Sequence, residues 1–177
     1  DPLTSLNPVY TCGDQLIAAL KLHADADGNT LTNGAAKQRA LELFAEVKLP
    51  NPEQVLGRYP HQLSGGQQQR VMIAVALAGN PTVLIADEPT TALDVTIQST
   101  ILDLLRELQA ARGTAILFIT HDMGVVSQIA DRVAVRYKGD LVEIASVYNL
   151  FAAPQHPYTQ GLLNCRPRPN KQLRRLP

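Results

Sequence analysis

Two acidic residues and a histidine follow apolar segments of the chain in an arrangement suited to phosphate chemistry. Asp87 and Glu88 come directly after the apolar run at 82–86, and His121 follows a second apolar run at 114–119. Open parallel sheets bind ligands at the carboxyl ends of their strands, and parallel strands place those ends at one edge. One carboxylate there can hold Mg²⁺ while the other activates water. The alternative is that the two acidic residues only form the turn after the strand.

A serine and two glycines form the second candidate site. The run Ser64, Gly65, Gly66, Gln67 precedes an apolar stretch of helical character that extends to Ala78. At the start of a helix the backbone N–H groups are exposed, and glycine has no Cβ to block a close approach, so the segment suits a phosphate. The alternative is a purely structural one, in which Ser64 only caps the helix.

The elements that position these residues follow from the hydrophobic pattern. The runs at 82–86 and 114–119 have the length and the continuous apolar character of buried strands. Between them, apolar residues recur at helical spacing from Ile97 to Leu108, and Gly113 is placed to end the helix. A strand, a helix and a strand of these lengths predict a right-handed crossover with two parallel strands.

The flanking segments are mainly helical, with one hairpin. Helices are predicted at 13–23 and 35–47 before the crossover, and short helices at 146–151 and 158–163 after it. The segments 132–137 and 140–144 predict a hairpin at the edge of the sheet.

Composition excludes several classes of protein. The 177 residues carry 16 basic and 16 acidic side chains, so no charge excess indicates binding to nucleic acid. The two cysteines, Cys12 and Cys165, are far apart and match neither a disulfide framework nor a zinc site. No signal peptide or membrane-spanning run is found, and we expect a cytoplasmic protein.

The motifs taken together resemble those of ATP-binding cassette (ABC) ATPases. In that family's terms, 63–67 is similar to the signature motif, 83–88 to Walker B, 92–94 to the D-loop, and His121 to the switch histidine. The resemblance implies an α/β fold: part of a RecA-like P-loop NTPase core with parallel strands, joined to an α-helical signature subdomain.

The same resemblance implies roles for the site residues, with ATP and Mg²⁺ as cofactors. Asp87 would orient Mg²⁺, in part through water, Glu88 would polarise the attacking water, and His121 would contact the γ-phosphate. The segment 64–67 would contact ATP held by the opposite subunit of a head-to-tail dimer. Asp94 would cross that interface, and it could also cap the helix that follows it.

A narrower resemblance covers most of the chain. The segments 59–66, 87–98 and 154–163 are similar to the ATPase subunits of bacterial dipeptide and oligopeptide importers, to which nickel importers are closely related. This implies an ATP hydrolase that powers peptide uptake from the inner face of the cell membrane. Its implied partners are a second ATPase subunit, identical or paralogous, two membrane-spanning permease subunits and, indirectly, a periplasmic or lipid-anchored solute-binding protein.

The implied domain organisation has three parts. Residues 1–79 would form the helical signature subdomain with a remnant of the Q-loop, and residues 80–145 the C-terminal part of the RecA-like core. Residues 146–177 would form the helical extension and basic tail of the peptide-importer type.

One expected motif is absent from the sequence. A Walker A loop needs a Gly-Lys pair, and the chain contains none. We therefore expect an N-terminally truncated cassette that hydrolyses no ATP by itself, although its full-length parent does. Two alternatives stay open: a non-catalytic half that completes a partner's ATP site in trans, and a soluble ABC ATPase without a membrane partner.

Overall fold

The computed structural model describes residues 5–23, 30–91 and 93–165. The chain forms two compact units, the first ending at Ile119 and the second starting at Thr120, and each is described by itself. The sequence before Ser5 and the basic tail after Cys165, both named above, lie outside the described residues. In the described ranges, no helix is both long enough and apolar enough to cross a membrane.

The first unit opens with a group of helices. They are α1 (Cys12–Leu22), α2 (Asn33–Glu46), α3 (Pro52–Leu56), a 3-10 turn (Pro60–Gln62) and α4 (Gly65–Leu77). Thr11 and Thr32 start the first two helices, because each side chain accepts a backbone N–H of the first turn. Fully buried Leu16, Phe44 and Val71 form part of the core of this group. The two helices predicted from periodicity are confirmed.

The predicted crossover follows. It consists of β1 (Val83–Asp87), α5 (Val95–Arg112) and β2 (Ala115–Ile119), and the two strands pair in parallel. The register places Val83 opposite Ala115 and Asp87 opposite Ile119. Gly113 ends α5 in the left-handed region at φ 66°, a conformation that glycine adopts without strain.

The prediction that both strands are buried is wrong for one face of this sheet. Leu84 and Ala86 are each 8% exposed, and they line a common cleft with side chains of α4 and α5. Successive side chains of a strand point to opposite faces, so the helices cover only alternate residues. The other side, which we call the open face, carries side chains that are 44% to 64% exposed: Val83, Ile85, Leu117 and Ile119.

The second unit contains the predicted hairpin. Its elements are α6 (Met123–Ile129), β3 (Arg132–Tyr137), β4 (Asp140–Ser146), α7 (Val147–Ala152) and α8 (Pro157–Asn164). β3 and β4 pair with each other in an antiparallel sheet of two strands, which confirms the hairpin. Lys138 and Gly139 make the tight connection, both with positive φ, and such turns suit the twist of a hairpin.

The helical group and the crossover of the first unit are joined by charged side chains. The guanidinium of Arg112, at the end of α5, donates to both carboxylate oxygens of Glu46, at 2.5 and 2.6 Å. Lys48 pairs with Glu107 of the same helix, and Arg70 of α4 donates to the Val47 carbonyl at 2.7 Å. These contacts fix the end of α2 against α4 and α5.

Candidate functional site

The glycine-rich segment begins α4, as its sequence predicts. Ser64 is the N-cap: its Oγ accepts the N–H of Gln67 at 3.4 Å, and the Gln67 side chain accepts the N–H of Ser64 at 3.0 Å. The N–H groups of Gly65 and Gly66 have no acceptor within the helix, because the first turn lacks preceding carbonyls. The Ser64 hydroxyl proton also stays available, since the cap uses only an oxygen lone pair. Capping and anion binding are therefore compatible at this serine.

A buried glutamine holds the residues before the glycine-rich segment in place. Gln68, 6% exposed, donates from Nε2 to the carbonyls of Pro60 at 2.9 Å and Leu63 at 3.1 Å. These bonds fix the 3-10 turn and the residue before Ser64 to the first turn of α4. Sequence reasoning missed Gln68, since it stands in a polar run that looks solvent-exposed; its signal is its position on the apolar side of the helix.

The glycines also contact the start of α5. A Cβ placed on Gly66 would lie 2.8 Å from Cγ2 of Ile97, and one on Gly65 would lie 3.6 Å from Cδ2 of Leu93. Any side chain at residue 66 would therefore overlap Ile97, whereas residue 65 has room. The sequence identified the two glycines for their approach to a phosphate, and the structure adds this packing role for Gly66.

Asp94 caps α5 beside these contacts. Its Oδ1 accepts the N–H of Ile97 at 2.8 Å, and the residue is exposed. The structural alternative for Asp94, the N-cap, is thus confirmed. The cap uses one carboxylate oxygen, so the second is available to another group, and the interface role stays a prediction.

The paired carboxylates lie at the carboxyl end of β1. Asp87 is the last residue of the strand and is exposed, while Glu88 is half-buried. The N–H of Glu88 donates to the Ile119 carbonyl at 2.9 Å, which extends the parallel pairing past the strand end. The Thr91 hydroxyl donates to Oε2 of Glu88 at 2.8 Å, a contact that the sequence analysis did not identify.

The backbone at Glu88 is unusual. Its φ is 47°, in the left-handed region that residues with a Cβ adopt at a cost. The conformation ends the extended strand directly after Asp87. Such positions are often found where side-chain placement matters more than local stability.

A cleft of about 90 Å³ lies between α4 and β1. Its lining includes Gln69, Ala86 and Asp87, so it extends from the helix of the glycine-rich segment to the first of the two carboxylates. Gln69 is 4% exposed, and its Oε1 has no hydrogen-bond partner among the residues that the structure describes. The helix of the glycine-rich segment and the strand that ends in Asp87 therefore border one common cleft.

His121 belongs to the second unit, in the segment between β2 and α6. It is exposed, and the next residue, Asp122, caps α6 by accepting the N–H of Gly124 at 2.7 Å. Its predicted position after a strand is confirmed. Its action on a phosphate beside Glu88 stays a prediction.

The segment that follows β4 is anchored on the hairpin. The carboxylate of Glu143 on β4 accepts the backbone N–H groups of Gln155 at 2.9 Å and His156 at 3.0 Å. The first of these bonds contributes most to a lowered pKa of Glu143. Tyr137 of β3 packs on Tyr158 of α8 with ring centroids 4.3 Å apart. One carboxylate thus holds a proline-flanked loop in place.

The residues of this chain fit a Mg²⁺ ion that is held jointly by a carboxylate, waters and the nucleotide phosphates. Within the described ranges, no group of three or more His, Cys, Asp or Glu side chains is placed to hold a metal. Mg²⁺ is usually bound by one or two carboxylates together with waters and substrate phosphates, and Asp87 at the strand end suits that mode. The start of α4 separately offers N–H donors and a hydroxyl for a phosphate.

Family models identify the family to which this architecture belongs. The model for ABC transporters matches residues 3–91, about half of the chain. The model for the oligopeptide/dipeptide transporter C-terminal region matches residues 142–177. The chain belongs to the ABC transporter family, which confirms the family resemblance.

Curated relatives agree with the narrower resemblance. The glutathione import ATP-binding protein of Pectobacterium atrosepticum is 55% identical over 167 residues, which cover 94% of this chain and 26% of the relative. Its counterpart from Escherichia coli K12 is 53% identical over the same shares. The chain therefore spans about a quarter of the length of these relatives.

Solved structures confirm the fold. A dimeric bacterial ABC transporter cassette is 31% identical with a TM-score of 0.69, covering 81% of this chain and 59% of the cassette. CbiO1 of Clostridium perfringens, part of an ABC transporter complex, is 29% identical with a TM-score of 0.72, covering 86% of this chain and 57% of its own. The predicted fold class, a partial RecA-like core with a helical subdomain, is confirmed.

Proposed function

We propose that this chain is part of the ATP-binding subunit of a bacterial importer of small peptides, of the glutathione-import type. The observation that carries the proposal lies in the first unit: a serine-glycine helix start packs against the Asp94 helix start, and a parallel strand ends in two carboxylates. The match of the C-terminal segment to the oligopeptide transporter region supports the peptide class, and the names of the two curated relatives support glutathione.

In this proposal each residue acts on one part of the nucleotide. Ser64, Gly65, Gly66 and Gln67 present N–H groups and a hydroxyl to the γ-phosphate of ATP held by a second subunit, where a helix start favours negative charge. Asp94 reaches that subunit with its free carboxylate oxygen. Mg²⁺, when bound, supplies charge neutralisation on the phosphates.

The carboxylates and the histidine would serve the other site of the dimer. Asp87 orients Mg²⁺ and its waters, Glu88 accepts a hydrogen bond from the attacking water, and His121 donates to the γ-phosphate. This is catalysis by positioning and charge stabilisation, without a covalent intermediate. The 177 residues contain no Walker A loop, so we expect no hydrolysis at a site built from this chain's own Asp87 and Glu88.

The partners follow from the same proposal. They are a second cassette in a head-to-tail dimer, two permease subunits contacted by the helical subdomain at 1–79, and a solute-binding protein reached through them. Residues 80–145 then form the core part, and residues 146–177 the extension. The chain acts at the inner face of the cell membrane, with ATP and Mg²⁺ as cofactors.

The test is MgATP-dependent association with a complete cassette of the family, made unable to hydrolyse ATP and labelled for sedimentation. We expect this chain to bind the cassette only when MgATP is present. Binding should need a neutral residue at position 64, because the γ-phosphate of the cassette's ATP lies against it.

A matched pair of variants separates capping from phosphate binding. Ser64→Asn and Ser64→Asp both keep a good N-cap, so both should fold alike. The added negative charge of Ser64→Asp should weaken association at least about tenfold relative to Ser64→Asn, since like charges disfavour contact. Ser99→Ala, which changes an exposed serine of α5, should leave association unchanged. Equal binding by the Asn and Asp variants would contradict the phosphate role of Ser64.

A further inference from the structure

We propose that Ile97 is a positioning residue, which transmits the placement of the glycine-rich segment to Asp94. The inference rests on the proposed function, because it concerns how this chain presents Ser64 and Asp94 to the same nucleotide-holding partner. It adds a residue that neither motif contains and that only the packing identifies.

The contact itself is close and local. Cγ2 of Ile97 lies 2.8 Å from the position that a Cβ of Gly66 would occupy, with Cδ1 at 3.7 Å and Cβ at 4.0 Å. Glycine at 66 is therefore the residue that lets the first turn of α4 approach the first turn of α5. A shift of the glycine-rich segment toward α5 meets the Ile97 side chain directly.

The same residue holds Asp94. The N–H of Ile97 donates to Oδ1 of Asp94 at 2.8 Å, and the N–H of Gln98 donates to its carbonyl at 2.8 Å. The side chain of Ile97 thus touches Gly66 while its backbone orients the Asp94 carboxylate. Ile97 therefore connects the glycine-rich segment and the Asp94 carboxylate, the two groups that would contact the partner in the proposed function.

The rest of α5 cannot follow such a shift. Ile101 and Leu105 are 0% and 1% exposed, so the helix is fixed in the core from its second turn onward. Displacement at Gly66 is therefore absorbed by the first turn of α5, where Ile97 and Asp94 lie. A β-branched side chain suits this task, because its χ1 angle is restricted in a helix.

The branching of isoleucine gives a matched set of variants. Ile97→Val keeps Cγ2, the atom nearest Gly66, and Ile97→Ala removes it. Ile97→Leu keeps the side-chain volume but moves the branch point away from Cβ. If the contact positions Asp94, the valine variant should behave like the wild type, and the alanine and leucine variants should not.

The assay is the MgATP-dependent association described above, run together with thermal unfolding of each variant. We expect Ile97→Ala and Ile97→Leu to weaken association roughly tenfold, a typical coupling between residues in contact, and Ile97→Val to weaken it less than about twofold. The double variant Asp94→Asn/Ile97→Ala should associate no more weakly than the weaker of its two single variants, since both substitutions interrupt the same connection from Gly66 through Ile97 to Asp94.

A second isoleucine of α5 controls for lost stability. Ile101→Ala removes a fully buried side chain and should lower the unfolding temperature more than Ile97→Ala does. It should nevertheless leave association near the wild-type value at temperatures where it is folded. If Ile101→Ala weakens association as much as Ile97→Ala, or if the losses of Asp94→Asn and Ile97→Ala add, Ile97 has no positioning role.

The outcomes separate this proposal from the proposed function. If the wild-type chain fails to associate, or if Ser64→Asp binds as well as Ser64→Asn, the proposed function fails and the role of Ile97 fails with it. If association and the Asn/Asp difference are found but Ile97→Ala binds normally, only the positioning role is refuted.

Discussion

Replacing Glu46 with Gln should lower the free energy of unfolding by about 2 kcal/mol, because it breaks a largely buried ion pair. The Arg112 side chain is 9% exposed and that of Glu46 30%. Removing one partner of a fully buried pair costs about 3–5 kcal/mol, and exposed pairs contribute about 0.2–1 kcal/mol. An intermediate burial places this pair between the two ranges, and the unfolding temperature should fall by about 4–8 °C.

The same helix supplies the control. Glu42 pairs with Arg39 at 2.9 Å, but these side chains are 49% and 40% exposed. Glu42→Gln makes the same chemical change on α2 and should cost less than about 0.5 kcal/mol. Urea unfolding followed by far-UV circular dichroism measures both variants, since the chain has no Trp.

Acid provides a second test of the same pair. The hydrogen bond from Arg112 lowers the pKa of Glu46 below its ordinary value. A carboxyl whose pKa is lower in the folded state stabilises the fold above its unfolded pKa, about 4.3, and loses that contribution as the pH falls through the folded pKa. The stability difference between wild type and Glu46→Gln should therefore be largest near neutral pH and shrink in acid. Equal costs for the two Gln variants, or a difference that does not change with pH, would refute this reasoning.

Three further predictions concern packing and exposure. Gly13→Ala should lower the free energy of unfolding by about 3 kcal/mol, because the new Cβ would lie 2.5 Å from a backbone oxygen. Gly34 has open space around it, so Gly34→Ala should raise the free energy of unfolding by about 0.5–1 kcal/mol. Chemical denaturation compares the two variants. A colourimetric thiol reagent at pH 8 should modify one cysteine in the folded chain, since Cys165 is exposed while burial raises the pKa of Cys12 to about 11; rapid reaction of both thiols would contradict this. The open face should cause self-association of the chain, and Ile85→Lys should reduce it with little change in stability. Sedimentation velocity measures the association, and a wild-type chain that is already monomeric would contradict this prediction.

Periodicity and turn chemistry were sufficient to predict the parallel crossover and most helices, but not the short helices α3 and α6. Helical spacing between Ile97 and Leu108, followed by Gly113, predicts α5 and its end, and the structure places them there. The hairpin follows from its tight Lys138-Gly139 connection. These features depend on residues close in sequence, so the sequence alone is informative about them.

Burial and the support of the site could not be predicted in the same way. An uninterrupted apolar run is compatible with a strand covered on both faces or on one, and only its neighbours decide, as Ile85 at 64% exposed shows. Helical spacing places Gln68 and Ile97 on the inner sides of their helices, but it does not say that they contact the glycine-rich segment. The motif residues were identified because of their chemistry, and the residues that hold them were found only from distances.

The left-handed backbone at Glu88 sets stability against the catalytic role that we propose for this residue. Glycine would adopt that φ without the cost of about 1–2 kcal/mol that a Cβ imposes, so the most stabilising replacement is also one that removes the carboxylate. Screening variants of this chain for heat resistance would therefore favour loss of Glu88. Under the proposed function, the glutamate at this position is kept for its carboxylate and at the expense of its backbone.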